Sequence, residues 1–189
     1  MTSTATRGIG WEEYLQLPLT RYEIIDGEVK ELPTPLFKHQ MIVSELMLRL
    51  GAQIRSERKG YLLPAPYDVV IRRSPLRTRQ PDLLFISHER AQTIPDLPNQ
   101  PRLEIAPDLI IEVLSPSDTA SDWLEKLRDY HQIGVREVWV VDPQSASVEV
   151  LGWSEAGWRS LGVFTQDQPI RSEVLGETSI QPATLFECA

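Results

Sequence analysis

The sequence predicts an α/β domain in which a mixed β-sheet is flanked by helices and opened by an N-terminal β-hairpin. Three observations carry this. Asp26-Gly27 stands between two short strand-forming stretches, apolar residues recur at helical spacing over 37–58, and the segment 108–142 reads as apolar run, amphipathic helix, apolar run. Taken in order, residues 22–32 form the hairpin, with Asp-Gly supplying the left-handed angles of a two-residue turn. Pro33 and Pro35 end it. Met41, Ile42, Leu46, Leu50 and Ile54 then share one helical face, and Gly60 is the stop. Pro64 and Pro66 interrupt the next stretch, so a strand is expected over 67–72, then an Arg-rich turn around Pro75, and another strand over 80–87.

Residues 88–107 are polar and proline-rich and are expected to be mainly a connecting excursion. The run 108–115 is almost continuously apolar, as in a strand covered on both faces. Ser117 or Ser121 can cap a helix running to about Ile133, Gly134 can end it, and 135–142 returns as an apolar strand. This is a right-handed β-α-β unit. A hairpin over 147–164 and a short apolar tail at 180–186 close the chain. The expected organisation is an arm over 1–20 followed by one domain over 21–189.

Composition limits what such a domain does. A chain of 189 residues that is 41% hydrophobic can bury one sizeable core. Cys188 is the single cysteine, so no intrachain disulfide or thiolate zinc site is available, which fits a reducing cytoplasm. No apolar run approaches the roughly 18 residues of a membrane span. Nineteen Lys and Arg against 27 Asp and Glu give a net charge of −8, which argues against non-specific coating of nucleic acid. A local patch is still compatible with that sum, because phosphates sense charge only within about a Debye length. Arg72, Arg73, Arg77 and Arg79 are the candidates for it, and a solvated loop carrying charge for solubility is the other reading.

The chemistry starts from Glu112, a carboxylate within an apolar strand. Burying it ionised is costly unless it is paired, protonated or bound to a cation. Asp82 begins another apolar strand, and if the two strands are neighbours both carboxylates can converge on Mg²⁺, which favours oxygen ligands. A salt bridge to Glu112, or a place at an open sheet edge, is the alternative. No Gly-rich phosphate loop, nucleotide motif or Gly-x-Ser-x-Gly elbow points to a small-molecule enzyme. His39, His88, His131 and Trp139 each have an ordinary structural reading.

Gln80-Pro81-Asp82, the run from Ala106 to Ser117 ending in Glu112-Val113-Leu114-Ser115-Pro116-Ser117, Lys126 with Tyr130 and Gly134, and Val140-Val141-Asp142-Pro143 together resemble the Uma-type family of endonucleases, in the PD-(D/E)XK superfamily. The resemblance runs from the first hairpin and His39 to about Trp153. It implies a restriction-endonuclease-like fold in which Pro81-Asp82 is the PD element and Glu112 the second acid. The lysine expected two residues after that acid is absent, since position 114 is Leu; the resemblance places it on the following helix as Lys126.

On this resemblance Asp82 and Glu112, with the Val113 carbonyl, hold Mg²⁺ or Mn²⁺, and Lys126 orients or activates the attacking water. Glu45 supplies a further acid, with Glu23 and Glu28 as alternatives, and His39 matches the family's histidine. The implied reaction is hydrolysis of a nucleic-acid phosphodiester, DNA being the expected substrate, by a symmetric homodimer that cuts both strands. A nuclease fold that binds nucleic acid or assembles without cutting is the alternative, motivated by the displaced lysine and the acidic net charge.

Overall fold

Asp26 and Gly27 take φ angles of 55° and 90°, both in the left-handed region that a type I′ turn requires. They join β1 (Tyr22–Ile25) to β2 (Glu28–Glu31) as the expected hairpin. The computed structural model describes residues 8–18 and 21–187. Within the expected arm 1–20, the described part includes helix α1 (Trp11–Tyr14), whose Tyr14 is buried with Tyr22, Ile24 and Leu76. The Tyr14 hydroxyl donates to Asp68 Oδ2 at 2.7 Å. Cys188 lies outside the described residues.

Helix α2 (Phe37–Ser56) buries Ile42, Leu46, Leu50 and Ile54, the i, i+4 stripe legible in the sequence. Two strands then appear where the sequence reading placed none. The first is β3 (Gly60–Pro64), which runs at the edge of a sheet, where proline is tolerated. Gly60 permits its approach, because a Cβ there would stand 2.0 Å from the Ile86 carbonyl oxygen. The second follows β4 (Asp68–Arg73): the expected Arg-rich turn shrinks to Ser74-Pro75, and Leu76–Arg79 is β5, buried at all four residues. Arginines ordinarily mark a solvated segment, but here they meet carboxylates from two other elements.

After β6 (Leu83–Ser87) the excursion 88–107 holds helix α3 (His88–Ala91), capped by Ser87, and the short β7 (Arg102–Leu103), which lies parallel to β4. Then come β8 (Leu109–Val113), α4 (Ala120–Ile133) and β9 (Glu137–Asp142), with β8 and β9 parallel as expected. Neither Ser117 nor Ser121 caps α4. Thr119 does, its hydroxyl accepting from the Asp122 amide at 3.1 Å, and Gly134 ends the helix at φ 83°. A long hairpin of β10 (Ser147–Ser154) and β11 (Gly157–Thr165), the short pair β12 (Arg171–Ser172) and β13 (Gly176–Glu177), and α5 (Pro182–Phe186) complete the chain.

Among the described residues the strands form a five-stranded sheet, β2-β1-β5-β4-β7, a six-stranded sheet, β11-β10-β9-β8-β6-β3, and the β12-β13 pair. The stripe of α2 packs on one face of the larger sheet with Ile111, Val113, Trp139 and Leu185. On the other face Tyr130 of α4 packs with Ile110, Val138 and Val140, and with Val69 and Leu103 of the smaller sheet. Glu137, fully buried, accepts from Trp139 Nε1 at 2.7 Å, the Ser172 hydroxyl, the Glu173 amide at 2.6 Å and the Val174 amide at 3.3 Å. That carboxylate fastens the C-terminal segment to β9. Among the described residues no helix is long and apolar enough to cross a membrane.

Candidate active site

Strand register brings the first two acids together. Antiparallel β6 and β8 pair Leu83 with Ile111 and Leu84 with Ile110, and one more step along that register sets Asp82 opposite Glu112. Asp82 Oδ2 accepts from the Val113 amide at 2.9 Å and lies 3.2 Å from His39 Nε2, which the first turn of α2 delivers. Buried His39 Nδ1 has no hydrogen-bond partner among the described residues.

Alternation along β8 turns Ile111 and Val113 toward α2 and Ile110 and Glu112 toward α4. On α4, Lys126 and Tyr130 are one turn apart and share a face. Lys126 Nζ donates to Glu112 Oε2 at 3.0 Å, and the Tyr130 hydroxyl donates to Glu112 Oε1. Lys126 Nζ is also 3.8 Å from Glu23 Oε1 on β1. The pairing of Ile24 with Thr78 puts Glu23 opposite Arg79, whose Nη1 donates to Glu23 Oε2 at 2.7 Å. Lys126 therefore spans a carboxylate from each sheet.

Burial pushes the Glu112 carboxyl up to about 7, with the Lys126 ammonium pulling it down and the Asp82 charge pushing it up further. For Lys126, burial alone would favour the neutral amine, but the charges of Glu112 and Glu23 outweigh it and raise its pKa, so the ammonium is retained. His39 shows the same contest: burial lowers its pKa, the hydrogen bond and charge of Asp82 raise it, and the net shift is upward.

The other expected residues fall elsewhere. Glu45 forms an i, i+4 ion pair with Arg49 at 2.9 Å, and Glu28 is exposed, so of the three acids weighed as additional members Glu23 is the one beside Lys126. Its signal was present in the sequence: like Glu112, Glu23 is a carboxylate among Tyr22, Ile24 and Ile25 in a short apolar strand. The four arginines form no common phosphate-facing patch. Arg77 and Arg79 are buried, both donating through Nε to Asp129 Oδ2, at 2.8 and 2.6 Å; Arg72 pairs with Asp26, and Arg73 with Glu104. Their hydrogen bonds and charge are already engaged by acids on α4, the hairpin and the excursion. His88 packs edge-on to Tyr61, and His131 Nε2 is 2.8 Å from the Ser154 carbonyl.

Asp82 and Glu112 offer the hard oxygen donors that Mg²⁺ or Mn²⁺ takes, and such an ion keeps several water ligands and needs few from protein. Among the described residues no group of three or more His, Cys, Asp and Glu side chains is arranged to hold a metal ion. Asp82 and Glu112 are the donors that would hold such a cation, which would then acidify a bound water.

The chain matches the model of the Uma2 family, described as "Putative restriction endonuclease", over residues 11–183. It is similar in fold to a solved protein, described as a putative nuclease belonging to DUF820 from Anabaena variabilis ATCC 29413. The two are 22% identical with a TM-score of 0.77 over 95% of this chain and 98% of the other. No curated protein matches.

Proposed function

Because this chain belongs to the Uma2 family, whose description is of restriction-endonuclease type, we propose that it is a divalent-metal-dependent endonuclease that hydrolyses phosphodiester bonds in DNA. The observation that carries this reading is the convergence of Asp82, just before β6, with Glu112 of β8 and Lys126 of α4, with Lys126 Nζ 3.0 Å from Glu112. Asp82 and Glu112, with the Val113 carbonyl, are the residues proposed to hold Mg²⁺ or Mn²⁺. When bound, such an ion acidifies a coordinated water and draws charge from the phosphoryl oxygens.

The remaining work falls to the chain's own groups. Lys126 stays protonated beside Glu23 and Glu112, so its role is to stabilise charge accumulating on the phosphate during attack rather than to take a proton. His39 contacts Asp82 through Nε2, while its Nδ1 is buried with no partner among the described residues, so its role is to orient the Asp82 carboxylate. Arg21, whose charge is felt by His39, has a buried Nε without a partner among the described residues and is a candidate phosphate contact in place of the engaged arginines of β4 and β5. With one site per chain, cleavage of both strands of a duplex calls for a homodimer, for which light scattering is the check. The single cysteine is in keeping with the reducing cytoplasm as the proposed location.

The deciding experiment compares wild type with folded Asp82→Ala and Lys126→Ala proteins on duplex DNA, single-stranded DNA and RNA, with Mg²⁺ or Mn²⁺. Loss of metal-dependent cleavage in both variants supports the assignment. Equal cleavage by all three proteins refutes it. One observation favours a second reading, binding without cleavage: Lys126 Nζ already occupies Glu112 Oε2 at 3.0 Å. Wild-type protein that binds nucleic acid but cuts none of the three substrates would establish that reading instead.

A further inference from the structure

Beside His39 a cavity of about 430 Å³ opens between the start of α2, the β8–α4 loop and the β9–β10 turn. It lies beyond the C-terminal ends of parallel β8 and β9, where open α/β sheets commonly place ligands. His39 lines this cavity and also contacts Asp82, so the cavity adjoins the Asp82 cluster. We propose that this cavity is a subsite for one unpaired nucleobase of the strand whose phosphate lies at Asp82, Glu112 and Lys126; this rests on the nuclease reading for the position of the phosphate.

The chemistry of the walls selects a base over a phosphate. Trp123, Leu114, Pro116 and Pro143 give the flat and apolar surface on which a base stacks. Asp118 and Asp142 line the cavity together with Lys38 and His39, so the wall carries no cationic excess to hold a free anion. Both carboxylates are engaged in stiffening their own loops: Asp118 accepts from the Ser115 amide at 2.7 Å, and Asp142 accepts from the Gln144 amide at 2.8 Å and the Ser145 hydroxyl at 2.6 Å. Gln144, exposed at the rim of the cavity, carries a carboxamide whose donor and acceptor are of the kind that reads a base edge. The volume falls within the roughly 300–1,000 Å³ range of small-ligand sites, enough for a base and too small for an intact base pair with its stacked neighbours. A base can enter only from a single strand or by leaving the duplex stack. The preferred substrate is accordingly single-stranded DNA or duplex with a displaced base.

Two measurements on the full chain test this. In protein labelled with 5-fluorotryptophan, the Trp123 resonance, identified with Trp123→Phe, is followed during metal-free titration with thymidine and adenosine. The expected result is a saturable shift at Trp123, none at buried Trp139, and weaker binding in Gln144→Ala. No shift at Trp123 up to nucleoside solubility overturns the subsite. In the second, one abasic nucleotide is stepped through a single-stranded substrate. Cleavage by wild type should fall about 5- to 100-fold at one position next to the cut and be unaffected there in Trp123→Ala. Cleavage indifferent to every abasic position also overturns it. A Trp123 shift in a wild-type protein that cuts nothing would sustain the base site and refute the nuclease reading.

Discussion

Lys126 Nζ donates to Glu112 Oε2 at 3.0 Å across the gap between α4 and β8, although the two residues are 14 positions apart in sequence. A lysine two places after Glu112 would have reached the same carboxylate from its own strand. Here α4 must dock in one orientation for the contact to exist, and the consequences are specific to that geometry.

Lys126→Met keeps the methylene-length stem and removes the ammonium. The protein is expected to remain folded, because Lys126 sits at the edge of the packed face and not within it, while metal-dependent cleavage falls by about 10²- to 10³-fold. Single-turnover rates at saturating substrate, with circular dichroism as the fold control, provide the check. An unchanged rate would remove Lys126 from the chemistry.

Arg79 holds α4 in register with both acids. Its Nε donates to Asp129 at 2.6 Å and its Nη1 to Glu23 at 2.7 Å, with all three side chains buried. Arg79→Met leaves two carboxylates short of a partner and should destabilise the fold by about 3–5 kcal/mol in urea unfolding. Arg79→Lys should recover only part of this, because one ammonium cannot match the two-directional fork. Full recovery by lysine would show that charge alone suffices.

Protonation couples stability to pH through Glu112 and His39. Burial raises the Glu112 carboxyl from 4.5 to about 7, so the native state binds that proton more tightly than the unfolded chain. The stabilisation from the bound proton is complete below about 4.5 and lost as pH rises through about 7. His39, also raised in the native state, adds a loss of the same sign above its unfolded value of 6.5. Urea midpoints measured across this range should decline less in Glu112→Gln than in wild type. Parallel curves for the two proteins would contradict the assignment.

Tyr130 tunes the same carboxyl. Its hydroxyl donates to Glu112 Oε1 and thereby favours the ionised form. Tyr130→Phe should move the Glu112 titration, followed by carboxyl ¹³C NMR, to higher pH. A shift to lower pH would mean that the hydroxyl serves the protonated acid.

Glu137 makes a prediction away from the site. Removing its carboxylate in Glu137→Ala strands the buried Trp139 Nε1, the Ser172 hydroxyl and the Glu173 amide, while the Val174 amide keeps Ser172 Oγ as an acceptor at 3.2 Å. Destabilisation of at least about 2 kcal/mol is expected, with hydrogen exchange over 170–180 accelerating before that of β8 and β9. Uniform acceleration across the chain would show that the carboxylate does not act as a local fastener.

The sequence by itself determined the elements whose signals are local. Asp26-Gly27 specifies the hairpin because its backbone angles are intrinsic to those residues. The stripe of Ile42, Leu46, Leu50 and Ile54 specifies α2, the apolar runs around α4 specify a parallel pair, and Asp82, Glu112 and Lys126 are legible as acids and a lysine in motif context. Tertiary structure decided the rest. Strand β5 was hidden because buried arginines look solvated until Asp129 and Glu23 arrive from α4 and β1. The choice of Glu23 over Glu45 and Glu28 depended on which carboxylate faces Lys126 across two sheets, and the base-sized cavity is built from three segments that meet only in the fold. Local sequence carries backbone preference and amphipathic period; the partner of a buried charge lies in another element, and docking of the elements selects it.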